Sequence, residues 1–265
     1  MELDIYQVDA FSSGPFSGNP AGVCITPSAL NPILMQNIAA EMAVSETAFL
    51  SLDNYRLRWF TPRTEVDLCG HATLATGHIL RQSGRLDDGE TATFTTLSGP
   101  LQARVAGRSI QLDFPQLTPH MSLPPDKDRL AALGLAVSEI ADYGLFGEKQ
   151  LIVVHDERIM TSLQPDFGKL LSLPGRGIAV TAKSRGEYSI ISRYFAPWVG
   201  INEDPVTGSA HCALAVYWSA KLGEQKLSAY QASSRGGALH LTVTGSGRVL
   251  LSGEACTVLA GKLYV

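Results

Sequence analysis

A chain of 265 residues is long enough for one large domain or two small ones, each with its own core. Hydrophobic residues at 45% and charged residues at 17%, with 25 Gly and 14 Pro, exclude a disordered or coiled-coil protein and point to a turn-rich, strand-rich one. A net charge of −4, without a run of Lys or Arg, excludes the electrostatic footprint of a nucleic-acid or anionic-membrane binder, so a small molecule is the expected partner.

The opening MELDIYQVDAF has no basic segment followed by an apolar stretch, and no window approaches the roughly 20 apolar residues of a membrane span. A cytoplasmic location is therefore expected. The alternation of Leu3, Ile5 and Val8, a Gly/Pro/Ser-rich turn and the apolar run at 21–25 predict a β-hairpin with a long tip. Asn31 as cap and Pro32 at the first helical position start a helix that ends near Ala43, with Ile33, Ile38 and Met42 on its apolar face. Residues 45–51 form a short strand with Glu46 at its entrance.

An internal repeat then sets the architecture. RWFTPRTEVDLCGHATLATGHILRQSG begins at Arg58, and RYFAPWVGINEDPVTGSAHCALAVYWSAKLG begins at Arg193. Both run Arg, aromatic, Phe, small residue, Pro, an acidic loop, then Gly and small residues opening an apolar helix that ends at Gly84 or Gly223. Two Phe-x-Pro loops can coincide by chance, but this ordered succession argues for duplication. Each helix is small or apolar all round, so each is expected inside its own half. LDFPQLTPHMSLPPD reads as the linker between halves, followed by a helix at 127–135, alternating runs at 151–154 and 178–181, and closing strands at 238–244, 249–253 and 257–265.

The two helix starts can attract an anion through free backbone N–H groups and the macrodipole, which suits a carboxylate substrate. The first carries Cys69, Gly70 and His71; the second carries Asp204, Thr207, Gly208, Ser209 and His211. From its surroundings alone, Glu46 reads more readily as a solvated carboxylate at a helix end than as a buried acid with a raised pKa. His71 can be a core histidine or a neutral imidazole held by the helix dipole, and Asp204 can brace its loop or act in catalysis. The cysteines Cys24, Cys69, Cys212 and Cys256 lie far apart without C-x-x-C spacing, and GxGxxG, GxxxxGK[ST] and G-x-S-x-G are absent. Neither metal, disulfides nor a nucleotide cofactor is indicated.

FSGNPAGV, AVSETAFL, DLCGHATLATGH and EDPVTGSAH together resemble the PhzF-like family of phenazine biosynthesis, relatives of diaminopimelate epimerase and proline racemase, over nearly the whole chain. The resemblance implies an α/β (α+β) fold of two similar halves, each a curled, mostly antiparallel sheet around a central helix, with the active site in a cleft between them. The halves are expected at residues 1–118, with about 257–265 able to complete them, and 119–256. It further implies a homodimeric, cofactor-independent isomerase that moves a proton on a small anionic metabolite; the best-understood member isomerises a dihydro-hydroxyanthranilate. Glu46 falls on the family's proton-transferring residue, with His71 and Asp204 assisting and Asn19, Gly70, Gly208 and Ser209 contacting substrate.

The alternatives are a racemase or epimerase working through Cys69 and a second base, and a non-catalytic descendant binding a metabolite or protein partner. The racemase relatives pair two thiols, and the place matching Cys69 in the second repeat is Thr207, which argues against two-thiol chemistry.

Overall fold

The computed structural model describes all residues, Met1–Val265. They form two units, Met1–Phe114 with Leu250–Val265, and Pro115–Val249. No helix is long and apolar enough to cross a membrane.

The first unit opens with the hairpin β1 (Glu2–Ala10) and β2 (Asn19–Thr26), paired antiparallel from Ile5↔Cys24 to Ala10↔Asn19. Helix α1 (Pro32–Met42) starts where Asn31 Oδ1 accepts from Ile33 N at 2.8 Å and stops where Ala43 turns left-handed at φ 52°. Its buried stripe is Met35, Ile38 and Ala39, not the expected face through Ile33, which is exposed. At 3.6 residues per turn Ile33 stands roughly 140° round the helix from Ile38 and roughly 180° from Met42, so it falls on the solvent side.

β3 (Glu46–Ser51) runs parallel to β2 and antiparallel to β4 (Arg56–Phe60), which turns into the short β5 (Glu65–Val66). Helix α2 (Gly70–Gln82) follows and is buried from His71 to Leu80, because strands close round it. A side chain at Gly77 would meet Ile110 Cγ2 at 2.9 Å, so only glycine lets that strand approach. The meander β6 (Thr91–Thr96), β7 (Gly99–Ala106) and β8 (Ser109–Pro115) joins the sheet through a parallel β4–β6 pair. Here the Pro-rich stretch expected to be all linker begins as strand, with Leu112 and Phe114 continuing an inward alternation from Ile110. The last strand, Ala255–Tyr264, lies antiparallel on β1.

The second unit starts with α3 (Lys127–Leu133), capped by Asp126 and ended by Gly134 at φ 77°. β9 (Ile140–Phe146) pairs antiparallel with β10 (Lys149–Val154), and β10 runs parallel to β11 (Ile178–Lys183) across two short helices, α4 (Glu157–Thr161) and α5 (Phe167–Leu171). β11 pairs antiparallel with β12 (Ile190–Ala196), which turns into β13 (Ile201–Glu203); α6 (Gly208–Leu222) and the hairpin β14 (Lys226–Gln231) and β15 (Gly237–Val243) follow. β12 runs parallel to β14.

The same succession of pairings thus occurs twice: parallel, antiparallel, a short antiparallel turn, a buried helix, then a parallel return. The duplication reaches single side chains. Arg58 grips Glu65 with Nε–Oε1 and Nη2–Oε2 both at 2.7 Å, and its guanidinium lies 5.1 Å from the Phe60 ring centre. Arg193 grips Glu203 at 2.7 and 2.9 Å and lies 4.9 Å from the Phe195 ring centre. Each bidentate pair locks the loop that leads into the following helix.

Candidate active site

Glu46 is the first residue of β3, where the chain leaves the left-handed Ala43 turn. Its Oε2 lies 3.3 Å from His71 Nε2, and His71 stands in the first turn of α2. Ser45 Oγ touches the same Nε2 at 3.2 Å and lies 3.3 Å from the Pro20 carbonyl and 3.5 Å from Asn19 Oδ1. Cys69, the residue capping α2 without a side-chain capping bond, places Sγ 3.5 Å from His71 Nδ1 and 3.9 Å from Nε2. β2, β3 and the start of α2 thus bring Asn19, Ser45, Glu46, Cys69 and His71 together, with Gly70 between the last two.

Burial raises the Glu46 pKa above its ordinary value, and hydrogen bonds from Ser45 and Cys69 return only part of that shift. A carboxyl so placed holds its proton to higher pH than a surface glutamate. Its side chain keeps 18% of its exposure, against 9% for His71, so it is the accessible member of the pair. The donor atoms of Glu46, Cys69 and His71 all lie within 4.8 Å of one another, close enough to share one ion.

In the second unit, Thr207 caps α6 and its hydroxyl donates to Asp204 Oδ2 at 2.5 Å. Gln231 closes this turn, accepting from Thr207 N at 2.9 Å and donating to the Asp204 carbonyl at 2.6 Å. Ser209 Oγ accepts from Lys149 Nζ at 3.1 Å, and that ammonium lies 5.7 Å from the Phe146 ring centre and 5.9 Å from that of Tyr194. Burial depresses the Lys149 pKa, which Arg176 reinforces and Asp204 opposes. His211 is fully buried and its pKa is pushed down to about 4. Because the Thr207 carbonyl can only accept, His211 Nδ1 carries the proton for their 2.8 Å bond, leaving Nε2 to accept from Ser192 Oγ at 3.3 Å. It is a neutral structural imidazole.

Strand register relates the two units residue by residue. Phe60 lies opposite Thr47, and Phe195 lies opposite Ile178, so the counterpart of Glu46 is Gly177. A side chain there is excluded, since a Cβ on Gly177 would stand 2.0 Å from Tyr194 Oη. Glu65 and Glu203 correspond in the same way, which carries Cys69 onto Thr207, Gly70 onto Gly208 and His71 onto Ser209 without a gap. Even the back-bonds match: Thr73 Oγ1 donates to the Cys69 carbonyl at 2.6 Å, where the other helix uses His211 on Thr207.

Ser45, Lys149, Tyr194 and Gln231 were not singled out from sequence. Ser45 is adjacent to Glu46 and was within reach of the AVSETAFL motif. Tyr194 is the aromatic residue after Arg193 in the second repeat, whereas Lys149 and Gln231 come from strands with no local signal beyond alternation.

Duplicated sheet-and-helix units with ionisable groups at the helix starts define a protein of the epimerase-like fold class. A hydroxyproline epimerase from Agrobacterium vitis superposes with a TM-score of 0.60 over 99% of this chain and 92% of its own, at 12% identity, a likeness of fold alone. A structure of the phenazine biosynthesis PhzF family from Enterococcus faecalis matches with a TM-score of 0.93 and 41% identity over 100% of both chains. An isomerase of Pseudomonas aeruginosa, described as uncharacterized, is 48% identical over 268 residues, covering 100% of both. The family model for phenazine biosynthesis-like proteins, PhzC-PhzF, matches residues 8–261. The chain belongs to this family, and it is an isomerase.

Proposed function

We propose that the isomerisation proceeds by acid–base proton transfer through Glu46 on a small anionic metabolite, with no need of a metal or organic cofactor. One observation carries the reading: a single carboxyl with a burial-raised pKa rests against His71, while its counterpart in the duplicated unit is Gly177. A lone carboxyl that removes a proton and returns it elsewhere fits this one-sided arrangement, since a group with a pKa nearer the working pH serves both as base and as acid. His71 orients the carboxyl and Asp204 assists from the loop it shares with Thr207. An anionic substrate is supported by Ser209 beside the Lys149 ammonium and by the Gly70 and Gly208 helix starts, whose first N–H groups have no carbonyl partner within the helix. Asn19 is assigned to substrate contact from its place beside Ser45.

A thiol-based mechanism is disfavoured by the same register: Cys69 is matched by Thr207, and Cys212 is buried with its pKa pushed up to about 12. The test is a panel of small unsaturated and cyclic carboxylates in deuterated solvent, followed by proton NMR for exchange and isomerisation. Glu46→Gln should cut turnover by about a hundredfold or more, the usual loss of a general acid–base group, while Cys69→Ser costs far less. Near-normal turnover in Glu46→Gln together with a dead Cys69→Ser would transfer the role to the thiol.

A further inference from the structure

Tyr194 is 5% exposed, yet its hydroxyl makes no hydrogen bond to the chain, and its oxygen is not closed off from a partner as Thr47 Oγ1 and Gln150 Oε1 are. A buried phenol usually finds a partner, and one left without costs free energy unless a ligand supplies it. Lys149 is in a similar condition. Its ammonium has three donors, spends one on Ser209 Oγ at 3.1 Å, and has no carboxylate in ion-pair contact. We propose that Lys149 and Tyr194, with Ser209, form the subsite that holds the substrate's carboxylate and selects a singly charged, planar anion. This deepens the proton-transfer reading and rests on it for the reaction, but not for the binding.

Strand register brings the two groups together. Gln150 pairs with Ile178 on the parallel β11, which sets Lys149 level with Gly177. Tyr194 lies on β12 opposite Ala179, and its hydroxyl reaches back over Gly177, where a Cβ would stand 2.0 Å from it. Glycine at 177 thus leaves the room that the phenol takes, and Lys149 Nζ lies 5.9 Å from the ring centre. The Phe146 ring, 5.7 Å away, flanks the ammonium as well, and two aromatic neighbours that displace water strengthen its pull on an anion. Having accepted from Lys149, Ser209 Oγ keeps its own proton for the ligand. The N–H groups of Gly208, Ser209 and Ala210 precede the first intrahelical bond, His211 N to the Thr207 carbonyl at 3.2 Å, and add donors at the same end of α6. Charge fixes the class of anion. The Asp204 carboxylate acts on both Lys149 and Tyr194, while the Arg176 guanidinium that also acts on them is engaged by Glu148 at 3.3 Å. One ammonium balances a carboxylate, whereas a phosphate dianion would bring an uncompensated second charge towards Asp204.

Calorimetric titration of the intact protein with benzoate, its neutral isostere benzamide and inorganic phosphate tests the assignment. Benzoate should bind saturably at one equivalent, and benzamide and phosphate should each bind more weakly. Lys149→Met, which keeps the length of the stem, should weaken benzoate binding at least about 30-fold, the low end of the cost of removing one partner of a desolvated charge pair. Tyr194→Phe should weaken it about tenfold, as expected for a hydrogen bond to a charged group. Absence of saturable benzoate binding, benzamide or phosphate binding as tightly as benzoate, or native affinity in either variant overturns the assignment. Should Lys149→Met fail to fold, Tyr194→Phe and the benzamide comparison still decide it, because the hydroxyl has no bond in the fold to lose. Such a failure leaves proton transfer by Glu46 standing, since turnover and deuterium exchange in Glu46→Gln decide that separately.

Discussion

Replacing Glu46 by Gln should make the protein more stable, and only at pH values where the native carboxyl is ionised. Burial is the largest influence on this group and raises its pKa above the ordinary 4.5, with Ser45 and Cys69 offsetting part. Each unit of such a shift is about 1.4 kcal/mol held against the charged form. Gln keeps the size of the side chain and can bond to Ser45 without carrying the charge. A gain of about 0.5–2 kcal/mol is expected, the usual range for relieving such a site, or about 2–4 °C in Tm per kcal/mol for a chain of this size. The sign follows from linkage: below pH 4.5 the carboxyl is protonated folded and unfolded, so the native protein and the variant coincide. Above it, the native protein loses the contribution as pH rises through the folded-state pKa, and the gap opens until ionisation is complete. Denaturant midpoints and melting temperatures of both proteins, taken from about pH 4 to pH 9, measure the gap. A variant less stable than native at the alkaline end, or a gap equal at both ends, would refute the reasoning.

Two further outcomes test the duplicated framework. Arg193→Ala should cost about 2–4 kcal/mol, approaching the loss for a broken buried pair, since the guanidinium also donates to the Leu163 carbonyl at 2.9 Å; Arg193→Lys should recover only part because it lacks the fork. Equal denaturant midpoints for native, Ala and Lys forms would show that the clamp carries no load. Gly177→Ala should destabilise by about 1–3 kcal/mol through overpacking, and adding Tyr194→Phe should restore part, because the clash is with the hydroxyl; a double variant no better than the single would place the strain elsewhere.

What could be read before the structure was mostly what recurs or lies close in sequence. The Phe-x-Pro loops exposed the duplication because both copies keep the Arg, the Phe and the acidic partner that the fold needs in contact. Asn31 and Pro32 announced α1 through local capping chemistry. Ile33 is exposed because helical periodicity places it on the face opposite Ile38 and Met42, so its apolar character alone does not put it in the core. The meander at β6 to β8 is not among the elements predicted above, although Ala92, Phe94, Leu101, Ala103 and Val105 alternate inward. The polar residues between them complete the two-residue alternation of a half-buried strand, so the signal is present in the sequence. Lys149 stayed hidden for a different reason: its meaning depends on Ser209, sixty positions away, and on two rings that burial brings beside it. The raised pKa of Glu46 likewise belongs to β3 and α2 jointly, and neither segment carries it alone.

The pairing of Ala255–Tyr264 on β1 has a consequence for the gene as well as for the fold. Met1 and Val265 hydrogen-bond to each other through both backbone directions, with Val265 N donating to Met1 O at 2.8 Å. A few residues of linker could therefore fuse the two ends without disturbing the sheet. Cut at Pro115, such a circular permutant would encode residues 115–249 and then 250–265 joined to 1–114, so that each unit is a single uninterrupted reading.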